Sequence, residues 1–151
     1  MLLEDIGDLL SSGGIGTVGS TANWGIYLGR QPDGPDRCVT VYEYGGAFSL
    51  HAMSSGPGRA VAERPRVQVV VRTNSYSTGR TKANEVFRLM DGLRERTING
   101  VTYKWAAAIQ SPFLMGRDEN ERALIACNYE VWKAISTALD AAMATQVYDN
   151  A

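Results

Sequence analysis

Four groups of residues have types that chemistry could use. Gly14-Ile15-Gly16-Thr17-Val18-Gly19 spells the glycine pattern that cradles a dinucleotide pyrophosphate. That use needs a strand before the motif and a helix opening from it. Here helix-patterned sequence precedes it and strand-like sequence follows, so the glycines read as a flexible link. A phosphate-binding loop of the Walker type is excluded as well, because no Gly-Lys-Ser/Thr follows. Asp33 with Asp36, and Asp118 with Glu119, are carboxylate pairs that acid–base catalysis could use. Each pair sits among Pro, Gly and Asn, where Asp commonly caps backbone groups in turns. His51 is the single histidine, and no Cys or carboxylate stands near it at metal-ligand spacing. No G-x-S-x-G elbow presents a serine to it. Cys38 and Cys127 make neither a disulfide framework nor a zinc site. The residues therefore indicate no catalytic residue, no metal site and no cofactor, and the expectation is a protein that is not an enzyme.

A second kind of chemistry is backbone binding of nucleic acid. Arg66, Arg72, Arg80 and Lys82, with Tyr76, form a basic and aromatic neighbourhood. Arg66, Arg72 and Lys82 are its candidate face. The aromatic-rich signature of RNA-binding strands is missing, and a solvated sheet face explains the same residues.

The elements that must position these groups follow from periodicity. Leu2, Leu3, Ile6, Leu9 and Leu10 make one apolar stripe over residues 2–11, which predicts a short helix. Glu4 and Asp5 fall in its first turn, where the helix dipole favours acids. Residues 13–23 read as a loop. Strands are predicted over 24–28, 38–44, 66–73, from Val101 to Gln110 and 122–132, and a long helix over 78–94. Asn99-Gly100 is a two-residue hairpin signal. Residues 45–63, with two glycine clusters, read as a long mobile loop, and 134–151 as a weakly ordered tail. The expected fold is one α+β domain over 1–151. It has a mostly antiparallel or mixed sheet of five strands with two helices on one face, in the order α-β-β-β-α-β-β.

Composition sets broad limits. The chain has 151 residues, 44% hydrophobic and 21% charged, with a net charge of -1. These are ordinary globular values, so bulk charge does not point to nucleic acid. The charge is segregated, however. Residues 59–104 hold ten Lys or Arg against four acids, and the remainder holds five against twelve. A chain that stacks head-to-tail on its own copies could use opposed faces of this kind, although folding could also mix them. No apolar run is long enough for a membrane span. The start, Met1-Leu2-Leu3-Glu4-Asp5, lacks a basic signal-peptide region, so a cytoplasmic protein is expected.

Three segments in order carry a resemblance. Tyr27 to Asp36 joins a strand to a Pro-Asp-Gly-Pro turn. Arg64 to Arg72, then Ser75-Tyr76, lead into the long helix. Gln110-Ser111-Pro112 to Gly116-Arg117-Asp118 and Arg122 lead into Asn128-Tyr129-Glu130-Val131. Together they resemble a family of bacteriophage minor capsid proteins, the tail terminator or tail completion proteins of long non-contractile tails. The resemblance spans most of residues 2–133, with 45–63 and 134–151 unmatched.

It implies a structural virion protein of the tail or neck, assembled in the host cytoplasm and lacking catalytic residues and cofactors. Such proteins form a ring, usually a hexamer, on the end of the tail tube. The ring terminates tail polymerisation and supports head–tail joining. The implied partners are further copies of the chain, the tail tube protein and the head–neck connector proteins. DNA passes through the ring without sequence-specific binding, and no membrane is involved. Arg30, Asp33, Asp36, Arg117, Asp118 and Arg122 are candidate turn or subunit-contact residues. Gly45, His51 and Arg59 are candidates to face the tube or lumen. The alternatives are a neighbouring neck protein and a small nucleic-acid-binding α+β module.

Overall fold

The computed structural model describes residues 2–50 and 62–134. The elements run α1 (Leu2–Ser12), β1 (Thr17–Val18), β2 (Gly25–Leu28), β3 (Cys38–Leu50), β4 (Ala62–Thr73), α2 (Tyr76–Met90), β5 (Leu93–Ile98), β6 (Val101–Ala108), β7 (Phe113–Arg117) and β8 (Ala123–Ala134). The eight strands among the described residues join one sheet in the order β1-β2-β3-β4-β8-β6-β5, with β7 also pairing β8. β1, β2 and β3 run parallel, and every other pairing is antiparallel.

The α+β class and the mixed sheet stand, but the expected count of five strands and the expected order need correction. β1 lies inside the glycine-rich stretch read as loop. β5 is Leu93-Arg94-Glu95-Arg96-Thr97-Ile98, whose central four residues are all exposed, so it shows no period-2 burial. β7 sits within the turn-rich segment after Pro112. Residues 45–50 and 62–63, expected in the mobile loop, belong to β3 and β4, so Gly45 is a strand residue. His51, Arg59 and the rest of 51–61 lie outside the described residues, as does the tail at 135–151.

The core is one cluster on one face of the sheet. Val39, Val41, Val67, Val69, Val71, Ile125, Cys127, Tyr129 and Val131 alternate along β3, β4 and β8 and pack together. Their registers agree: Val41 pairs Val69, which pairs Cys127. Leu2, Ile6, Leu9 and Leu10 of α1, and Ala83, Val86 and Met90 of α2, join the same cluster. Both helices therefore cover one face, as their apolar stripes require. α2 lies very close to the sheet. A Cβ on Gly79 would come within 2.3 Å of Thr73 Cγ2 and 2.8 Å of Ile125 Cδ1.

α1 is fixed by a polar anchor as well. Asp5 is fully buried, and its Oδ2 accepts a hydrogen bond from the Tyr103 hydroxyl on β6. Burial first, and then the Asp5 carboxylate, push the Tyr103 phenol far above its ordinary value, so it stays a donor. Asn99, in the β5–β6 turn, donates to Asp5 Oδ1 at 2.9 Å and to Asp8 Oδ2 at 2.8 Å. Asn99 and Gly100 have φ of 51° and 79°, the left-handed pair that an Asn-Gly hairpin turn needs.

Candidate functional site

The parallel pairing of β2 with β3 sets a topological demand. Adjacent parallel strands need a connection that carries the chain back along one face of the sheet, and a helix usually fills that role. Here residues 29–37 make the crossover with no helix. An irregular crossover laid against a sheet has backbone carbonyls that still need donors.

Two arginines supply them. Arg72 ends the valine run of β4 and points away from Val71, onto the face without helices. Only 2% of it is exposed. Its Nη1 donates to the Pro32 carbonyl, and its Nη2 to the Pro35 carbonyl at 2.6 Å. Arg122, immediately before β8, is 6% exposed. Its Nη1 donates to the Asp33 carbonyl at 2.6 Å and to Asp36 Oδ1 at 3.2 Å. One fork from β4 and one from the start of β8 thus hold the crossover loop.

Asp118 holds Arg122 in turn. Arg122 Nε donates to Asp118 Oδ2 at 2.7 Å. Asp118 Oδ1 accepts the backbone N–H groups of Asn120 at 3.0 Å and Arg122 at 2.9 Å. Desolvation by itself would raise the Asp118 carboxyl. The Arg122 N–H and guanidinium, with the Asn120 N–H, outweigh it and hold the group below the usual carboxylate range. Arg117 Nη1 donates to the Glu121 carbonyl at 2.9 Å, which closes the β7–β8 turn.

The structure thus places the six candidate turn or contact residues around one loop pair. Arg122, Asp118, Asp33 and Asp36 meet directly, Arg117 braces the adjoining turn, and Arg30 is exposed at the start of the crossover. Gln31, Pro32, Asp33, Arg72, Asp118 and Arg122 border a polar concavity of about 250 Å³. Ligand pockets are usually larger and mostly apolar, so this shape does not suggest a small-molecule site. Among the described residues no cluster of His, Cys, Asp and Glu could hold a metal ion. No described helix is long and apolar enough to cross a membrane. Cys38 and Cys127 are free, and burial raises both thiols.

The candidate basic face is not assembled. Arg72 is buried and committed to the crossover. Lys82 lies on α2, across the sheet from Arg72. Its Nζ sits 4.6 Å from the Trp24 ring centroid, donates to the Ile15 carbonyl at 3.2 Å and pairs with Glu85 at 3.2 Å. Arg66 is half-buried in β4, in register with Tyr44 and Glu130. Arg72 and Lys82 are thus committed to internal contacts on opposite faces of the sheet, and the three side chains do not form one phosphate surface. The Gly14–Gly19 motif runs from the turn after α1 through β1, with Gly14 and Gly19 at φ of 82° and 74°.

The feature that sequence reasoning missed is an edge. β7 pairs β8 on one side and, among the described residues, nothing on the other. Its Phe113, Leu114 and Met115 are 37%, 48% and 46% exposed, and Ile109 just before it is 48% exposed. Three consecutive apolar residues after Pro112 were a visible signal, masked by the surrounding turn residues.

Known proteins place this architecture. The family model described as "Bacteriophage tail terminator protein" matches residues 9–135. A chain of the solved structure titled "Virion of native gene transfer agent (GTA) particle" shares the fold, with a TM-score of 0.55 and 12% identity. The match covers 89% of this chain and 95% of that one. No curated protein matches.

Proposed function

This chain belongs to the bacteriophage tail terminator family, and from that premise we propose that it forms a ring on the end of the tail tube, stops tube polymerisation and offers the surface that joins the head. Family membership makes it a structural component of a phage tail that works among other virion proteins. The ring, its hexameric count, the tube and connector partners and the absence of catalysis belong to the proposal. So does assembly in the host cytoplasm.

The observation that carries the reading is the family match over residues 9–135, which spans every strand from β1 to β8. The geometry supports it in two ways. The polar constellation around Arg72 and Arg122 is occupied by internal hydrogen bonds, which suits a rigid scaffold better than a reaction centre. An exposed strand edge suits an assembling part.

Tail length in lysates of the parent phage lacking this gene, read by electron microscopy, tests the proposal. Overlong tails detached from heads are the expected result. Tails of normal length that fail to join filled heads would move the chain to a neck-joining role, and intact infectious particles would refute both roles.

A further inference from the structure

A sheet edge left open is a template for another chain, and folded proteins usually blunt such edges with charge. Among the described residues the sheet ends at β1, β5 and the outer side of β7. β1 has only two residues. The other two edges are built in opposite ways. β5 follows the rule: Arg94, Glu95 and Arg96 are all exposed. Glu95 pairs with Lys104 across the hairpin at 3.7 Å. Arg94 and Arg96 have no acidic partner among the described residues. β7 breaks the rule over its first three residues, exposed Phe113, Leu114 and Met115, and carries charge only at its end, in Arg117. It runs directly into a turn whose Glu119 and Glu121 carboxylates are exposed and lack a basic partner among the described residues.

From these two edges we infer that β7 of one copy takes β5 of a second copy as an added strand, with Arg94 and Arg96 answering Glu119 and Glu121. The charges select this pairing over the symmetric ones. A β7–β7 contact offers the Glu119/Glu121 turns no arginine beyond Arg117, which already donates to the Glu121 carbonyl, and a β5–β5 contact offers four arginines only two Glu95 carboxylates, each already paired with Lys104. Two different patches meeting head-to-tail generate a ring when the rotation closes. Strand addition satisfies the open backbone groups of both edges and shields the apolar strip of β7. The inference rests on the ring reading above and names the seam within it.

Charge reversal tests it through tail length, in lysates complemented with each variant. Arg94→Glu/Arg96→Glu and Glu119→Arg/Glu121→Arg should each give overlong tails, and the two combined should restore normal length. All four positions are exposed, so each purified variant should keep the wild-type Tm, which separates a lost seam from a lost fold. Normal tails with either reversal alone would refute the seam and leave the terminator reading standing. A combination that fails to restore length, with Tm unchanged, would also refute it. Normal tails in the absence of the gene would refute the terminator reading itself, and the seam with it.

Discussion

Replacing Arg122 by Met keeps an apolar stem of similar length and removes the guanidinium that ties the β7–β8 turn to the crossover loop. The Nε bond to Asp118 is 2.7 Å and the Nη1 bond to the Asp33 carbonyl is 2.6 Å. Hydrogen bonds to charged groups contribute about 1.5–3 kcal/mol each. The Asp36 partner is 63% exposed, so that pair adds about 1 kcal/mol at most. Two effects reduce the sum. Asp118 keeps the backbone N–H groups of Asn120 and Arg122, and the variant no longer buries a charge. We expect a net loss of about 2–4 kcal/mol, read as a lower urea midpoint with an unchanged slope.

The pH dependence is a second check on the same prediction. Asp118 titrates below its ordinary value in the folded chain, so its contribution is complete above the unfolded value of about 3.9. That contribution disappears as pH falls through the lower folded value. Without the guanidinium the folded value moves back up, so the gap between wild type and variant should narrow in acid. A loss below about 1 kcal/mol would show that Arg122 is only a surface-grade contact. A loss equally large in acid and at neutral pH would show that the Asp118 link does not carry it.

Further outcomes follow from the same contacts. Tyr103→Phe removes the hydroxyl that donates to buried Asp5 and should cost about 1–3 kcal/mol in thermal unfolding, with α1 the first element to loosen. Gly79→Ala raises helix propensity, yet its Cβ would stand 2.3 Å from Thr73 Cγ2, so it should destabilise by about 1–3 kcal/mol rather than stabilise. Cys38 and Cys127 are buried with raised thiols, so DTNB should react with them slowly until denaturant unfolds the chain.

Periodicity reveals the parts of the fold that bury one face. The apolar stripes of α1 and α2 and the alternation of Val67, Val69 and Val71 all correspond to core positions. Asn99-Gly100 marks its hairpin for the same local reason, because few residues accept that backbone. Edge strands are harder to read. β5 exposes four charged or polar residues in succession, and β7 is short and set among turn residues, so neither shows a period of two. The arginine pair was hidden for another reason. Nothing local says that β2 and β3 are parallel, and only that topology lays residues 29–37 against Arg72 and Arg122. Arg72 at the end of a valine run, and Asp5 between Leu2 and Leu9 on the apolar stripe, were the available signals. A charge among core positions implies a buried partner, but it does not identify that partner.

The placement of β8 has a consequence for how the chain is made. β8 pairs β4 along one side and both β6 and β7 along the other, so it is the only described strand that joins the β1–β4 half of the sheet to the β5–β7 half. It is also the last described strand to be synthesised. Until residues 123–134 leave the ribosome, β4 has a bare edge, α2 lacks half of its floor and Arg122 cannot grip the crossover. Contacts this distant in sequence make folding slow, and a sheet awaiting its central strand is exposed to foreign strands. Truncation before β8 should therefore give an aggregating product rather than a smaller folded domain. The copies available for tail assembly are then those in which the sheet has already closed.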